Sequence, residues 1–135
     1  MSYFNSKLLD GYALNTTDGY TYTTQWTDVK QAFAYSVSAV FTGTPNGTLK
    51  LQASNESDIG SPWGVPAGTT TVPVWGPQPQ LNGSDATNIA GATSTISAAG
   101  TVMFDVSLPG HRCVRAVYTS SSGNATVNMW INVKF

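Results

Sequence analysis

Apolar residues alternate with small polar residues along most of this chain, and this period of two constrains its fold more than any other feature. In the segment AFAYSVSAVFTG (32–43), one apolar face is predicted to hold Phe33, Tyr35, Val37, Ala39 and Phe41. Ser36 and Ser38 fall on the opposite face, as expected for a strand with one buried side. A helical period is nearly absent, since TDVKQAFAY (27–35) has room for one turn at most. The chain is therefore predicted to be all-β.

Other segments show the same alternation. Predicted strands cover residues 7–15 with a kink at Gly11, 20–29, 48–54, 101–108, two stretches within 111–135, and a short piece at 70–75. About seven to eight short strands without βαβ spacing favour an antiparallel β-sandwich, either Ig-like or jelly-roll-like. A chain of 135 residues fits one domain, 1–135, with a possible N-terminal arm at 1–6.

Two hairpins are predicted from turn signals. The pair Asn46-Gly47 is a strong turn signal between 32–43 and 48–54. The segment 111–135 reads as two strands joined by a four-residue loop. In that register, the apolar pairs are Tyr118 with Val127, Ala116 with Met129, and Val114 with Ile131. The other face then sets Arg115 opposite Trp130 and Cys113 opposite Asn132, which predicts a stiff polar and aromatic surface suited to contact.

Residues 55–100 differ from the rest of the chain. They contain most of its prolines, and 82–100 is nearly low-complexity Ala, Thr, Ser, Gly and Asn. A compact domain rarely carries so long an irregular segment unless the segment binds something or is loosely ordered. We therefore expect this region to make most contacts with a partner. Its large side chains are the expected anchors: Trp63, Trp75, Leu81 and Ile89.

Composition excludes several classes of function. The formal net charge is −1 and charged residues make up 10% of the chain, so no basic field attracts nucleic acid or an anionic membrane. No segment approaches the roughly 18 apolar residues of a membrane span. Cys113 is the only cysteine, so an intrachain disulfide is impossible.

The polar surface consists of Thr, Ser, Asn, Gln and Gly, a composition common on extracellular and virion proteins. The opening residues, however, contain no apolar run that could serve in a signal peptide. A phage virion protein reconciles the two observations, because it is made in the reducing host cytoplasm and released by lysis. We expect the mature protein to reside in the virion, with the capsid surface favoured.

No motif indicates catalysis, a cofactor or a metal. His111 and Cys113 lie two residues apart on one predicted strand, whereas a Cys-His pair normally converges from separate elements. No pair of carboxylates stands out as a glycosidase pair. The loop SNESDIG (54–60) offers three oxygen donors for calcium, but an Asx-turn explains it better. Phosphate-binding glycine loops, CxxC and HExxH are absent from the sequence. We therefore predict a protein that is not an enzyme.

Two stretches resemble a group of small β-sandwich proteins from tailed phages: GTLKLQASNESDIGSPW (47–63) and RCVRAVYTSSSGNATVNMWINVKF (112–135). That group shows a G-T-L-x-L-Q-x-S-N motif followed by an acidic residue and a Trp, here Asp58 and Trp63. It then shows an R-x-V-R-x-x-Y-T strand, a Ser/Gly turn and a closing strand that ends in Lys. This chain departs from the pattern at Cys113, where an aromatic residue is expected.

The resemblance implies a virion structural role in capsid decoration, a head fibre or the tail. The function favoured is decoration of the capsid, with the major capsid protein or other virion proteins as partners. The alternative is a receptor- or glycan-binding module of a tail or fibre. A homo-oligomer is expected, with a trimer favoured because capsid sites are symmetric. The predicted interface residues are Tyr3, Phe4, Trp63, Trp75, Leu81, Ile89, Arg115 and Trp130.

Overall fold

The computed structural model describes residues 3–14, 21–24, 26–55, 86–107 and 109–135. Within these ranges the chain forms nine β-strands and no helix. The strands are β1 (Tyr3–Leu14), β2 (Thr21–Thr23), β3 (Thr27–Asp28), β4 (Ala34–Gly43), β5 (Asn46–Ser54), β6 (Thr87–Ile96), β7 (Gly100–Ser107), β8 (Cys113–Ser122) and β9 (Ala125–Lys134).

The strands build two antiparallel sheets. The four-stranded sheet has the order β1-β9-β4-β7, and the five-stranded sheet has the order β2-β8-β5-β6, with β3 also paired to β8. The predicted all-β antiparallel sandwich is confirmed. The described residues contain nine strands and not seven to eight, because the predicted strand 20–29 divides into β2 and β3 and because β6 was not expected.

The core lies between the sheets and follows from the alternation of the sequence. In β4 the buried residues are Tyr35, Val37, Ala39 and Phe41, and in β9 they are Ala125, Val127, Met129, Ile131 and Val133. The five-stranded sheet contributes mainly Leu49, Leu51, Val114, Ala116 and Tyr118. The rings of Phe41 and Tyr118 meet across the two sheets at 5.4 Å. Each large apolar side chain buried in this way contributes roughly 1.5–3 kcal/mol to stability.

Phe33 is an exception to the predicted apolar face. It precedes β4, is 54% exposed, and lies beneath the Nζ atom of Lys134 at 5.6 Å. Its backbone N–H donates a hydrogen bond to the carbonyl oxygen of Lys134. The alternation therefore begins at Ala34, where the backbone enters the sheet.

Both predicted hairpins are wrong in their pairing. β4 pairs with β7 and β9, whereas β5 pairs with β6 and β8. Likewise β8 lies in the five-stranded sheet and β9 in the four-stranded sheet. Each short connection is thus an arch that crosses from one sheet to the other. The reason is that alternation specifies only which side chains are buried. Two strands that face each other across the core bury the same side chains as two strands that pair side by side.

The two arches lie against each other at one end of the sandwich. The Thr44 N–H donates to the Asn124 carbonyl oxygen at 2.7 Å, and Asn46 Nδ2 donates to Ser122 Oγ at 2.9 Å. Gly43 and Gly123 both have φ of 88°. A Cβ on Gly123 would collide with the carbonyl oxygen of Thr44. Glycine is therefore required at this position for both backbone conformation and space.

The region 55–100 is not one irregular segment. Residues 87–96 form β6, which pairs with β5 through a register shift between Lys50 and Gln52. The strand was missed because it is rich in Ala, Thr, Ser and Gly, and its buried residues are Ala92 and Ile96. Residues 56–85, including the predicted strand 70–75, lie outside the described residues.

The first described residues belong to the sheet. Tyr3 to Ser6, for which an arm was suggested, pair with Lys134 to Ile131 of β9. Register shifts occur between Lys7 and Leu9 and between Leu9 and Tyr12, so the strand is irregular around Gly11, where a kink was predicted.

Candidate interaction surfaces

The outward side of the four-stranded sheet carries an indole among small polar residues. The register places Lys7 beside Trp130, Trp130 beside Ser38, and Ser38 beside Met103. We call this row, together with Asn132, the Trp130 face. Trp130 is half-buried, with Lys7 Nζ 5.2 Å from the ring centroid, and Met103 is 60% exposed. An exposed cation over an indole stabilises by about 0.5–1 kcal/mol.

A shallow groove of about 270 Å³ lies at one end of the same side. Its polar lining comes from Ser36, Asp105, Ser107, Asn132 and Lys134. The register sets Asn132 beside Ser36 and Ser36 beside Asp105, so an amide, a hydroxyl and a carboxylate form one row across three strands. This row combines hydrogen-bond donors and acceptors on three adjacent strands.

Arg115 lies on the other sheet and does not oppose Trp130 as predicted. Its Cζ atom is 4.4 Å from the centroid of the Trp26 ring. Its Nε and Nη2 donate to Gln52 Oε1 at 3.0 and 2.8 Å, and Gln52 Nε2 donates to Asn88 Oδ1 at 3.2 Å. We call this set the Arg115 cluster. The prediction failed because it assumed that β8 and β9 pair.

Burial dominates the electrostatics of the Arg115 cluster. Arg115 is 7% exposed and Trp26 is 1% exposed. Desolvation lowers the pKa of Arg115 to about 10, so the guanidinium stays charged at neutral pH. Two buried donors, Arg115 Nη1 and Trp26 Nε1, have no hydrogen-bond partner within the part of the chain that the structure describes. Arg115 and Trp26 are therefore buried members of this cluster, and Arg115 is not an exposed contact residue.

His111 and Cys113 lie in different environments. His111 precedes β8, and its Nε2 shares a hydrogen bond of 2.8 Å with the Tyr35 hydroxyl. Desolvation lowers the pKa of His111, and burial raises the pKa of Tyr35. Cys113 is buried at 5% exposure and packs with Trp26 and Ala86. The thiol is thus shielded from substrates, and the imidazole is committed to a structural bond between the two sheets.

The remaining predicted interface residues are distributed over the sandwich. Tyr3 and Phe4 begin the edge strand β1, and Phe4 is 37% exposed. Ile89 is half-buried and packs against the core. Trp63, Trp75 and Leu81 lie outside the described residues. Of the described residues of this set, Tyr3, Phe4 and Trp130 lie in the four-stranded sheet, whereas Ile89 and Arg115 lie in the five-stranded sheet.

Two exposed apolar residues were not predicted as contact residues. Phe33 and Met103 are the most exposed large apolar side chains in the described ranges. The sequence held a signal for Met103, since it alternates with Val102 and Phe104 and so points away from the core. The alternation does not show which strand lies beside Met103.

Two kinds of structural element are absent from the described residues. Over these ranges, no three His, Cys, Asp or Glu side chains come together in a group that fits a metal ion. No described element is a helix with the length and apolar character needed to cross a membrane.

No family model matches the sequence, and no curated protein is significantly similar to it. Several solved structures are similar. One is YomS, a protein derived from the SPBc2 prophage, with a TM-score of 0.49 and 11% identity over 97% of this chain and 93% of that chain. A second is the disulfide-linked pilus of Bacillus endospore appendages, with a TM-score of 0.45 and 12% identity over 99% and 89%. A third is the coat protein of Tobacco streak virus, with a TM-score of 0.44 and 10% identity over 99% and 85%. Similarities at these levels assign no function to this chain.

Proposed function

We propose that this chain is a non-enzymatic structural protein of a tailed-phage virion that decorates the capsid surface. It binds the major capsid protein and stabilises the assembled shell. Three features support the proposal: the resemblance of 47–63 and 112–135 to phage sandwich proteins, the low charge of the chain, and the engagement of His111 and Cys113 in packing.

The observation that carries the proposal is the Trp130 face. It is an outward sheet side with an indole, an exposed methionine and few charges. Interfaces concentrate their binding energy in a few aromatic anchors surrounded by near-neutral contacts. A sheet side presents such anchors on a rigid backbone, so little conformational entropy is lost on binding.

Decoration stabilises a shell by mass action. A protein that binds the assembled shell but not its separated subunits adds about 2.7 kcal/mol per site when its free concentration is 100-fold above the dissociation constant. Within the predicted contact region 55–100, we expect most contacts to come from residues 56–85, with Trp63 and Trp75 as anchors.

The test uses empty shells that lack the protein. Wild-type protein should bind them at a fixed copy number and raise the temperature at which the shells dissociate. Replacing Trp63, Trp75 or Trp130 by Ala should weaken attachment by about 2 kcal/mol if that residue is an anchor. Thr93→Ala, an exposed change on β6, is the matched control. A cryo-EM map that places the protein on the tail and leaves the shell bare would refute capsid decoration.

A receptor- or glycan-binding module of a tail or fibre is the second candidate. The groove favours it, because Asp105, Asn132 and Ser36 align near the indole of Trp130. Aromatic stacking and paired polar groups suit a sugar ring. Binding of host-surface oligosaccharides that is lost in both Asp105→Asn and Trp130→Ala would support this function. Loss of shell binding in Trp130→Ala without any oligosaccharide binding would reject it.

A further inference from the structure

The edges of the two sheets differ in how they discourage pairing with another strand. Exposed edges are normally blunted by bulges, by prolines, by charged residues or by short length. β1 is interrupted by two register shifts and carries Lys7. β2 and β3 are three and two residues long. β6 has a register shift opposite Lys50 and Gln52 and a positive φ at Gly91.

β7 has almost none of these features. It pairs with β4 through eight consecutive residues without a register shift. It contains no proline, and Asp105 is its one charged residue. Within the described part of the chain, no strand pairs with its second side. Every second residue of this regular strand therefore directs its N–H and C=O groups away from β4, where no described strand pairs with them.

Met103 makes this edge apolar at its centre. It is 60% exposed, although it lies in the middle of the strand. A strand edge of this kind is complementary to any extended backbone, and the side chain beside it selects for an apolar neighbour.

We propose that β7 pairs antiparallel with β7 of a second copy, about a two-fold axis at Met103. The two four-stranded sheets then form one continuous sheet of eight strands. A second copy is the occupant because an antiparallel edge is complementary to itself under two-fold symmetry. In this register Met103 lies against its own copy, and Asp105 lies opposite Thr101 of the second copy.

The charge of Asp105 is compatible with this register. Like charges directly opposite each other destabilise a strand pair. Here the two Asp105 residues are four residues out of register, about 13 Å apart at the strand rise of ~3.3 Å per residue. That distance exceeds the screening length of about 8 Å at physiological salt. The interface closes with two copies, so it gives a dimer and not the trimer expected from the sequence.

A cysteine placed at the axis tests the register. Residues opposite each other across a strand pair have Cα atoms about 4.5–5.5 Å apart, within disulfide range. Met103→Cys should therefore form a covalent dimer under mild oxidation. Thr101→Cys should not, because that residue is about 13 Å from its own copy. Cys113 does not interfere, since it is buried. Equal cross-linking of both variants, or none in Met103→Cys, would overturn the register.

A charge at the axis tests the interface without cross-linking. Sedimentation equilibrium from about 1 to about 200 μM covers the affinities expected of a small interface. Met103→Lys should raise the dimer dissociation constant at least about tenfold, because two like charges then face each other. Thr95→Lys makes the same charge change at an exposed position of β6 and should leave the constant unchanged.

Three results would overturn the proposal: a wild-type trimer, a dimer unaffected by Met103→Lys, or a wild-type monomer at every concentration. In the last case, slow amide hydrogen exchange in β7 would show that a segment of the same chain covers the edge. The cross-linking and sedimentation experiments use the isolated protein, so their outcomes are independent of whether the protein binds a capsid.

Discussion

Arg115 is a cation that lies almost wholly inside the protein, at 7% exposure. A buried charge is tolerated only where it is paired or hydrogen-bonded. Its partners are the face of Trp26 and the side-chain oxygen of Gln52, which receives two of its N–H groups. A desolvated cation over an indole contributes about 2 kcal/mol. Gln52 is thus the acceptor on which the charged cluster depends.

Replacing Gln52 by Ala should destabilise the fold by about 2–3 kcal/mol, because it leaves two N–H groups of a buried charge without an acceptor. Urea unfolding followed by tryptophan fluorescence measures this change. Asn88→Ala is the matched control, since it removes only an exposed neutral bond to Gln52, and it should cost less than about 0.5 kcal/mol. Equal effects of the two changes would show that Arg115 does not need the oxygen of Gln52.

At the scale of elements, two paired arches carry the chain from one sheet to the other. β4–β5 and β8–β9 both cross the core, and the connections bond to each other through Thr44, Asn124, Asn46 and Ser122. The glycine at each arch has a positive φ, and both lie close to the opposite connection. The arches therefore act as one unit.

Gly123→Ala should destabilise the protein by roughly 3 kcal/mol or more, because it adds a collision with the Thr44 carbonyl to the cost of a positive φ. Gly91→Ala separates these effects. Gly91 has φ of 79° but open space around it, so we expect only about 1–2 kcal/mol of conformational cost. Thermal unfolding by circular dichroism gives both values. If Gly91→Ala costs as much as Gly123→Ala, contact between the arches is not what requires glycine.

At the scale of the whole molecule, two sheets of low charge are held by an apolar core and by a few polar bonds between them. Tyr35 belongs to the four-stranded sheet, and His111 leads into the five-stranded sheet. Their hydrogen bond therefore joins the two layers. His111 is the single histidine of the chain, so it is the side chain whose ordinary pKa lies nearest neutrality.

The free energy of unfolding should fall as the pH decreases from about 7.5 to about 5.5. Desolvation holds the pKa of His111 below its ordinary value of 6.5, so the unfolded state binds the proton more readily. The free energy of unfolding then declines below about pH 6.5 and levels off once pH is below the folded-state pKa. Urea unfolding from about pH 7.5 to about pH 5.5 should show this decline, and His111→Gln should flatten it. A decline of the same size in His111→Gln would assign it to other groups.

The class of fold and the membership of most of the core were readable from the sequence alone. Val37, Leu51, Ala116 and Met129 are buried where the alternation placed them. This succeeds because a period of two is a local property, readable from neighbouring residues. The same reasoning failed at β6, where small residues give little contrast between the two sides of the strand.

Strand pairing, and with it the contacts between outward residues, depended on tertiary interactions. Arg115 and Trp130 have the expected outward positions, yet they lie on different sheets. Arg115 instead meets Trp26, which is 89 residues earlier in the chain. Burial of an apolar face is satisfied equally by a hairpin and by an arch. The choice between them depends on the backbone bonds of a strand to distant partners, and no local pattern encodes those bonds.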